Sequence, residues 1–143
     1  MDTIATIRTI GSRPAMEAVL AAVAKGREIA VPVAAAVVGA GGEMIAFLQA
    51  NGAPPPSAKI AQDKAYSAAS FRVPTTELFK MVSGSSALRE GLAAQPGIVL
   101  FGGGLPIELD GEFVGAIGVS GASEEQDVEC ARAGLLAIGA RQY

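Results

Sequence analysis

The stretch Leu100–Gly121, LFGGGLPIELDGEFVGAIGVSG, decides the fold of this 143-residue chain. Two of its segments, 105–109 and 112–120, have the apolar character of strands, and only Asp110 and Gly111 separate them. An Asp-Gly pair between two such segments is a strong signal for a two-residue hairpin turn. The stretch therefore predicts a pair of antiparallel strands.

The glycines of this stretch do not match a phosphate-binding loop. FGGGLP lacks the lysine of GxxxxGK[ST], and no GxGxxG segment lies between a strand and a helix. The helix predicted to follow begins with Glu124, Glu125 and Asp127, whose carboxylates would repel a phosphate at that end. We expect Gly102–Gly104 to supply positive φ angles or close backbone approach, and the later glycines to leave one strand face clear for packing.

The remaining segments predict an α+β domain that spans residues 1–143. The predicted elements are a helix that starts at Ser12 and stops before Pro32, a hairpin over 33–50, an alanine-rich helix capped by Ser57, a short helix over 75–84, an irregular link over 85–97, strands over 98–102, 105–109 and 112–120, and a last helix with a Ser123/Gln126 capping box. Helices gathered between hairpin-joined strands indicate a central antiparallel sheet of about five strands, flanked by helices.

Composition narrows the classes of function. Half of the residues are apolar and 17% are charged, but no apolar run has the length of a membrane span, so we expect a soluble cytoplasmic protein without a membrane partner. The net charge of −3 argues against a nucleic-acid partner. The apolar excess favours a homo-oligomer.

The chain contains no histidine and one cysteine, Cys130. This composition excludes an internal disulfide, a Ser-His-Asp or Cys-His catalytic arrangement, a histidine-ligated zinc and a haem iron held by a proximal histidine. Any general acid or base would have to be a carboxylate, a lysine, a tyrosine or water.

The segment FGGGLPIELDGEFVGAIGVSGASEEQD (101–127) closely resembles the C-terminal signature of the GlcG/HbpS-like family of haem-binding or haem-degrading domain proteins. AAVVGAGGEMIAF, NGAPPPS, DKAYSAASF and PTTEL resemble other blocks of that family in the same order. The resemblance implies a profilin-like fold, assembly into dimers or larger oligomers, and haem or a related tetrapyrrole as ligand. Gly39 stands where the family often has an aspartate, and the histidine that often ligates haem is missing.

Lys64 and Tyr66 are the candidate ligand-binding residues of the alanine-rich helix. Being two residues apart, they point to different sides of it. Lys64 would pair with a propionate or another carboxylate, and Tyr66 would ligate iron as tyrosinate. The alternative is an exposed lysine and a tyrosine anchored at the edge of the core. Arg72 and Thr75 flank Pro74 at the helix end, where a guanidinium can hold an anion.

Asp127 has two interpretations. Next to the glycine-rich strands it would act as a general base or a metal ligand, whereas in the first turn of a helix it would only compensate the helix dipole.

Three functions stay open at this stage. The first is a small-ligand-binding protein, with a pocket formed by Lys64, Tyr66, Arg72, Thr75 and Gly102–Gly104 and haem as the ligand that the resemblance implies. The second is a cofactor-independent enzyme that acts on a small oxidised carboxylate, with Lys64 and Asp127 as its catalytic residues. The third is a structural assembly subunit.

Overall fold

Four antiparallel strands form a sheet in the order β2-β1-β4-β3. The computed structural model describes residues 3–143. Its elements are α1 (Ser12–Glu28), β1 (Ala34–Gly39), β2 (Met44–Gln49), α2 (Ser57–Phe71), α3 (Thr75–Val82), α4 (Ser86–Ala93), β3 (Gly104–Leu109), β4 (Glu112–Ser120) and α5 (Glu124–Ala137). The predicted α+β class is confirmed.

The predicted Asp-Gly hairpin joins β3 to β4. Asp110 and Gly111 have φ angles of 53° and 78°, and Leu109 pairs with Glu112 across the turn. Positive φ at both central residues is the geometry that matches the right-handed twist of the flanking strands. β4 also pairs with β1, so these two strands form the centre of the sheet.

Helices cover both faces of the sheet. α1 and α5 pack on one face over a core rich in valine, leucine and isoleucine, whereas α2 packs on the other face through alanines. Ala61, Ala65 and Ala68 are fully buried, and a Cβ at Gly118 would collide with the backbone of α2. Alanine on the helix and glycine on the strand therefore let the α2 backbone approach β4 closely, as predicted.

The fifth strand, predicted over 98–102, does not form. Two backbone N–H groups of this segment bond to side chains instead of a neighbouring strand: Val99 donates to Ser67 Oγ at 2.8 Å and Gly102 to Glu124 Oε1 at 2.6 Å. These two donors are therefore not available to a strand ladder, and β3 begins at Gly104. The sheet has four strands.

Two helix predictions also need correction. The link predicted as irregular contains α4, which Ser85 caps: its Oγ accepts from the Leu88 N–H at 3.2 Å. α4 buries none of its residues, so it forms outside the hydrophobic core. Ser57 is the first residue of α2 and does not cap it through its side chain. No helix within residues 3–143 is both long and apolar enough to cross a membrane.

Candidate functional site

Lys64 and Asp127 form an ion pair in the interior. α2 supplies Lys64 and the first turn of α5 supplies Asp127, with 3.0 Å between Nζ and Oδ2. Lys64 also donates to the carbonyl of Val119 at 2.9 Å, while Asp127 Oδ1 accepts from the N–H of Ala122 at 3.0 Å. Lys64 is only 1% exposed and Asp127 only 2%, so neither is the solvated side chain that helix position alone would suggest.

Burial dominates the ionisation of this pair. It lowers the pKa of Lys64, although the charge and hydrogen bond of Asp127 raise it part of the way back. Burial likewise raises the pKa of Asp127 against the opposing effect of Lys64. Both shifts favour the uncharged forms, as expected where desolvation costs more than the partner returns.

The predicted glycine site, Gly102–Gly104, wraps around this pair. Gly103 has a φ of 130°, and a Cβ there would lie 2.6 Å from Lys64 Nζ and 2.5 Å from the Val119 oxygen. A Cβ at Gly104 would lie 2.5 Å from the Lys64 carbonyl oxygen. The ring of Phe101 covers the ammonium group, with 5.0 Å from its centroid to Nζ. The space that side chains would need at Gly103 and Gly104 is thus partly occupied by Lys64.

Two side chains hold the glycine segment in place. Thr75 is fully buried, and its Oγ1 accepts from the Gly104 N–H at 3.0 Å. Glu124 accepts from the Gly102 N–H. Thr75 was predicted as a ligand contact, but in the structure its hydroxyl bonds to the backbone. The contact of Glu124 with the glycine segment was not predicted, because it joins positions 22 residues apart.

Tyr66 lies on the other side of α2, as the spacing from Lys64 predicted. Its ring stands between two glycines: a Cβ at Gly42 would lie 3.0 Å from one ring edge, and a Cβ at Gly97 3.2 Å from the other. Both glycines have positive φ, near 86° and 82°. The side chain is 41% exposed. The two glycines therefore fix the ring while part of the side chain stays accessible.

Tyr66 lines a groove of about 420 Å³. The groove is bordered by Val38, Gly42, Met44, Lys59, Gln62, Asp63, Tyr66, Pro96 and Gly97. Lys59 Nζ lies 2.5 Å from Asp63 Oδ2 at its rim. Apart from Tyr66 these residues were not predicted as a site, because they come from three separate segments. These groups fit a haem: a phenol oxygen for the iron, Met44 and Pro96 as apolar contacts for the ring, and a lysine for a propionate.

Arg72 belongs neither to the Lys64–Asp127 site nor to the groove beside Tyr66. It ends α2 with a φ of 56°, and its guanidinium lies 4.5 Å from the ring centroid of Phe113. Phe113 and Val119 stand six residues apart on β4, about 20 Å along a strand. The structure therefore does not bring Arg72 to Lys64. The residues predicted to form one pocket lie instead in separate places on the molecule. Within residues 3–143, no three carboxylate or thiol side chains cluster as metal ligands.

Comparisons with known proteins identify the family. The model described as "Haem degrading protein HbpS-like" matches residues 10–136. An uncharacterized 15.0 kDa protein from the dhaT-dhaS intergenic region of Citrobacter freundii is 40% identical over 89% of this chain and 90% of its own length.

Solved structures agree with this match. The Klebsiella pneumoniae protein ORFY superposes with a TM-score of 0.89 at 31% identity, over 99% of both chains. The crystal structure of a PduOC:heme complex superposes with a TM-score of 0.85 at 29% identity, over 94% of this chain and 99% of that one. The chain therefore belongs to the HbpS-like family.

Proposed function

We propose that this chain binds haem or a related tetrapyrrole in the groove beside Tyr66. The observation that carries the proposal is the position of the Tyr66 ring, which is fixed between two positive-φ glycines while the residue stays 41% exposed. The family match and the similarity to a PduOC:heme complex support this ligand class.

The chemistry of the groove supports a haem held without histidine. Tyrosinate is an attested axial ligand of haem iron. Met44 and Pro96 offer apolar contacts to a porphyrin, and Lys59 at the rim can bind a propionate. A bound haem would supply a redox-active iron, and Tyr66 would hold that iron through its phenolate oxygen.

The contacts of the Lys64–Asp127 pair support a structural role rather than a role in ligand binding or catalysis. Both groups are buried, and Phe101 and Gly103 lie against the ammonium group. The cofactor-independent enzyme predicted from the sequence would need this segment to move before a carboxylate could reach Lys64. The contacts of the pair support a structural role instead, in which it holds α2, α5 and the end of β4 together.

Titration of the purified protein with hemin, followed at the Soret band, tests the proposal. We expect saturation near one hemin per chain. Tyr66→Phe removes the phenolate and should weaken binding at least tenfold and change the spectrum of the ferric complex. Tyr143→Phe is the matched control, because Tyr143 is the other tyrosine of the chain and it lies at the far edge of the sheet, 3.3 Å from Glu108.

Two results would overturn this assignment. A featureless titration would show that the chain does not take up haem. Saturable binding that Tyr66→Phe and Tyr143→Phe leave equally unchanged would show that Tyr66 is not the ligand.

A further inference from the structure

A cavity of about 340 Å³ lies between the C-terminal end of α1 and the turn that follows β2. It shares no residue with the Tyr66 groove. Its volume lies within the range of sites that hold small molecules, about 300–1,000 Å³. The residues that line it are Val23, Arg27, Ala30, Val31, Pro32, Ala50 and Asn51.

Two turns form the walls of this cavity, and contacts between them fix both. The Ala50 N–H donates to the Val33 carbonyl at 3.0 Å, which ties the turn after β2 to the turn before β1. A Cβ at Gly52 would lie 3.8 Å from the Pro32 ring, an ordinary van der Waals distance. Because the walls are already in contact, a ligand would not have to order them on binding.

Ala30 ends α1 in a strained conformation. The Ala30 N–H donates to the Arg27 carbonyl and the Val31 N–H to the Gly26 carbonyl, which are the hydrogen bonds of a Schellman motif. Glycine is usual at this position because φ is positive, yet here an alanine has a φ of 61°. Alanine differs from glycine by one methyl group, on a residue that borders the cavity. Strain of this kind is a reason to look for a function.

Arg27 is the charged residue of the lining. It is exposed, and no carboxylate pairs with it within residues 3–143. Asn51 adds an amide, whereas the other five of the seven lining residues are apolar. One positive charge beside apolar walls matches a ligand that carries a negative charge on an apolar body.

The end of α1 also limits the charge of such a ligand. A helix C-terminus has a partial negative charge, which cations in the last turn offset. Lys25 is the second cation of that turn, but it pairs with Glu28 and Glu129. Arg27 alone therefore faces both the helix end and the ligand, and this balance suits a single negative charge better than the double charge of a phosphate.

We propose that this cavity binds a small monocarboxylate with an apolar body. The planar guanidinium of Arg27 would donate two parallel hydrogen bonds to the carboxylate, and the apolar lining would contact the body. This site is separate from the Tyr66 groove, so the inference does not depend on the ligand proposed there.

NMR titration of the isotope-labelled full chain with benzoate, at constant ionic strength, tests the site. Benzoate is the probe because it joins one carboxylate to a flat apolar ring. Benzamide is the matched control ligand, since it has nearly the same shape and no charge. We expect benzoate to shift the amide signals of the lining residues with saturation in the millimolar range, and benzamide to bind at least fivefold more weakly.

Arg27→Gln should weaken benzoate binding at least fivefold, because it removes the positive charge and keeps a polar side chain. Arg13→Gln is the matched control variant. Arg13 is also exposed on α1 and has no ion pair in the part of the chain that the structure describes, but it does not line the cavity. Arg13→Gln should leave the binding unchanged.

Ala30→Gly tests the strained residue. The variant relieves the positive φ and should raise Tm by about 3–5 °C. It also removes the methyl group and should weaken benzoate binding at least twofold. A variant that is more stable and binds benzoate as tightly as the wild type would contradict the part assigned to Ala30.

Three results would overturn the site itself. The first is the absence of saturable shifts. The second is a set of shifts that maps to the groove beside Tyr66 instead of the end of α1. The third is binding to which charge contributes nothing, shown by equal affinities for benzoate and benzamide or by equal effects of Arg27→Gln and Arg13→Gln.

Discussion

Lys64 and Asp127 are ionisable side chains buried away from water, and each stabilises the charge of the other. Taking two charges out of water costs several kcal/mol per ion, and their attraction and hydrogen bonds offset that cost only while both partners are present. The pair therefore adds little net stability, yet the loss of one member should be severe.

Lys64→Met should cost about 3–5 kcal/mol of the free energy of unfolding, because it leaves the Asp127 carboxylate buried without its partner. The double variant Lys64→Met/Asp127→Asn should recover most of this loss. The asparagine is uncharged and its oxygen can still accept from the Ala122 N–H. Urea unfolding of the wild type and of the two variants measures both effects.

The single variant should also respond to pH. Burial already raises the pKa of Asp127, and loss of Lys64 removes the group that lowers it. A folded-state pKa above the unfolded one gives stability that is present at low pH and lost as the pH rises through the folded value. Lys64→Met should thus lose less at pH 5 than at pH 8, while the double variant shows no such difference. Equal losses at both pH values would contradict a buried carboxylate.

At the scale of elements, the segment Gly102–Gly104 joins α2 to the sheet through backbone contacts. Gly103→Ala should destabilise the fold by about 3 kcal/mol or more, because it adds strain at a φ of 130° to a collision with the Val119 oxygen. Gly139→Ala is the control: its φ is also positive, at 67°, but nothing lies within 4 Å of its Cβ. It should cost about 1–2 kcal/mol from backbone strain alone. Chemical denaturation of both variants separates the cost of the collision from the cost of backbone strain. Equal losses of unfolding free energy would contradict the close packing described above.

Local chemistry predicted most of the elements correctly. The Asp110–Gly111 hairpin and the Ser123/Gln126 capping box need only neighbouring residues, and both form. The predicted strand over 98–102 does not form, and two of its N–H groups bond instead to Ser67 and Glu124, which are far away in the sequence. Side chains brought from other elements override local propensity at that point.

The candidate site was predictable in its residues but not in its pairings. The residue types singled out Lys64, Tyr66 and Asp127, and helical spacing correctly separated Lys64 from Tyr66. The contact between Lys64 and Asp127 joins positions 63 residues apart, and no local pattern encodes it. The groove around Tyr66 likewise depends on Gly42 and Gly97, which come from two distant turns.

At the scale of the whole molecule, α2 separates two regions with different roles. One side of the helix holds the buried pair against β4 and α5, and the other holds Tyr66 over an open groove. Substitutions at sites that share no partner usually add in free energy to within about 0.5 kcal/mol. Ligand binding at the groove should therefore be independent of the charge on the pair.

Thermal unfolding with and without hemin tests this independence. A ligand at about 100 times its dissociation constant stabilises the folded state by about 2.7 kcal/mol, which for a chain of this size corresponds to a rise in Tm of roughly 5–10 °C. We expect the wild type and Lys64→Met/Asp127→Asn to show the same rise, and Tyr66→Phe to show little. If the double variant lost the hemin effect while Tyr66→Phe kept it, the ligand would bind on the glycine-rich side of α2, and the segment over Lys64 would have to open to admit it.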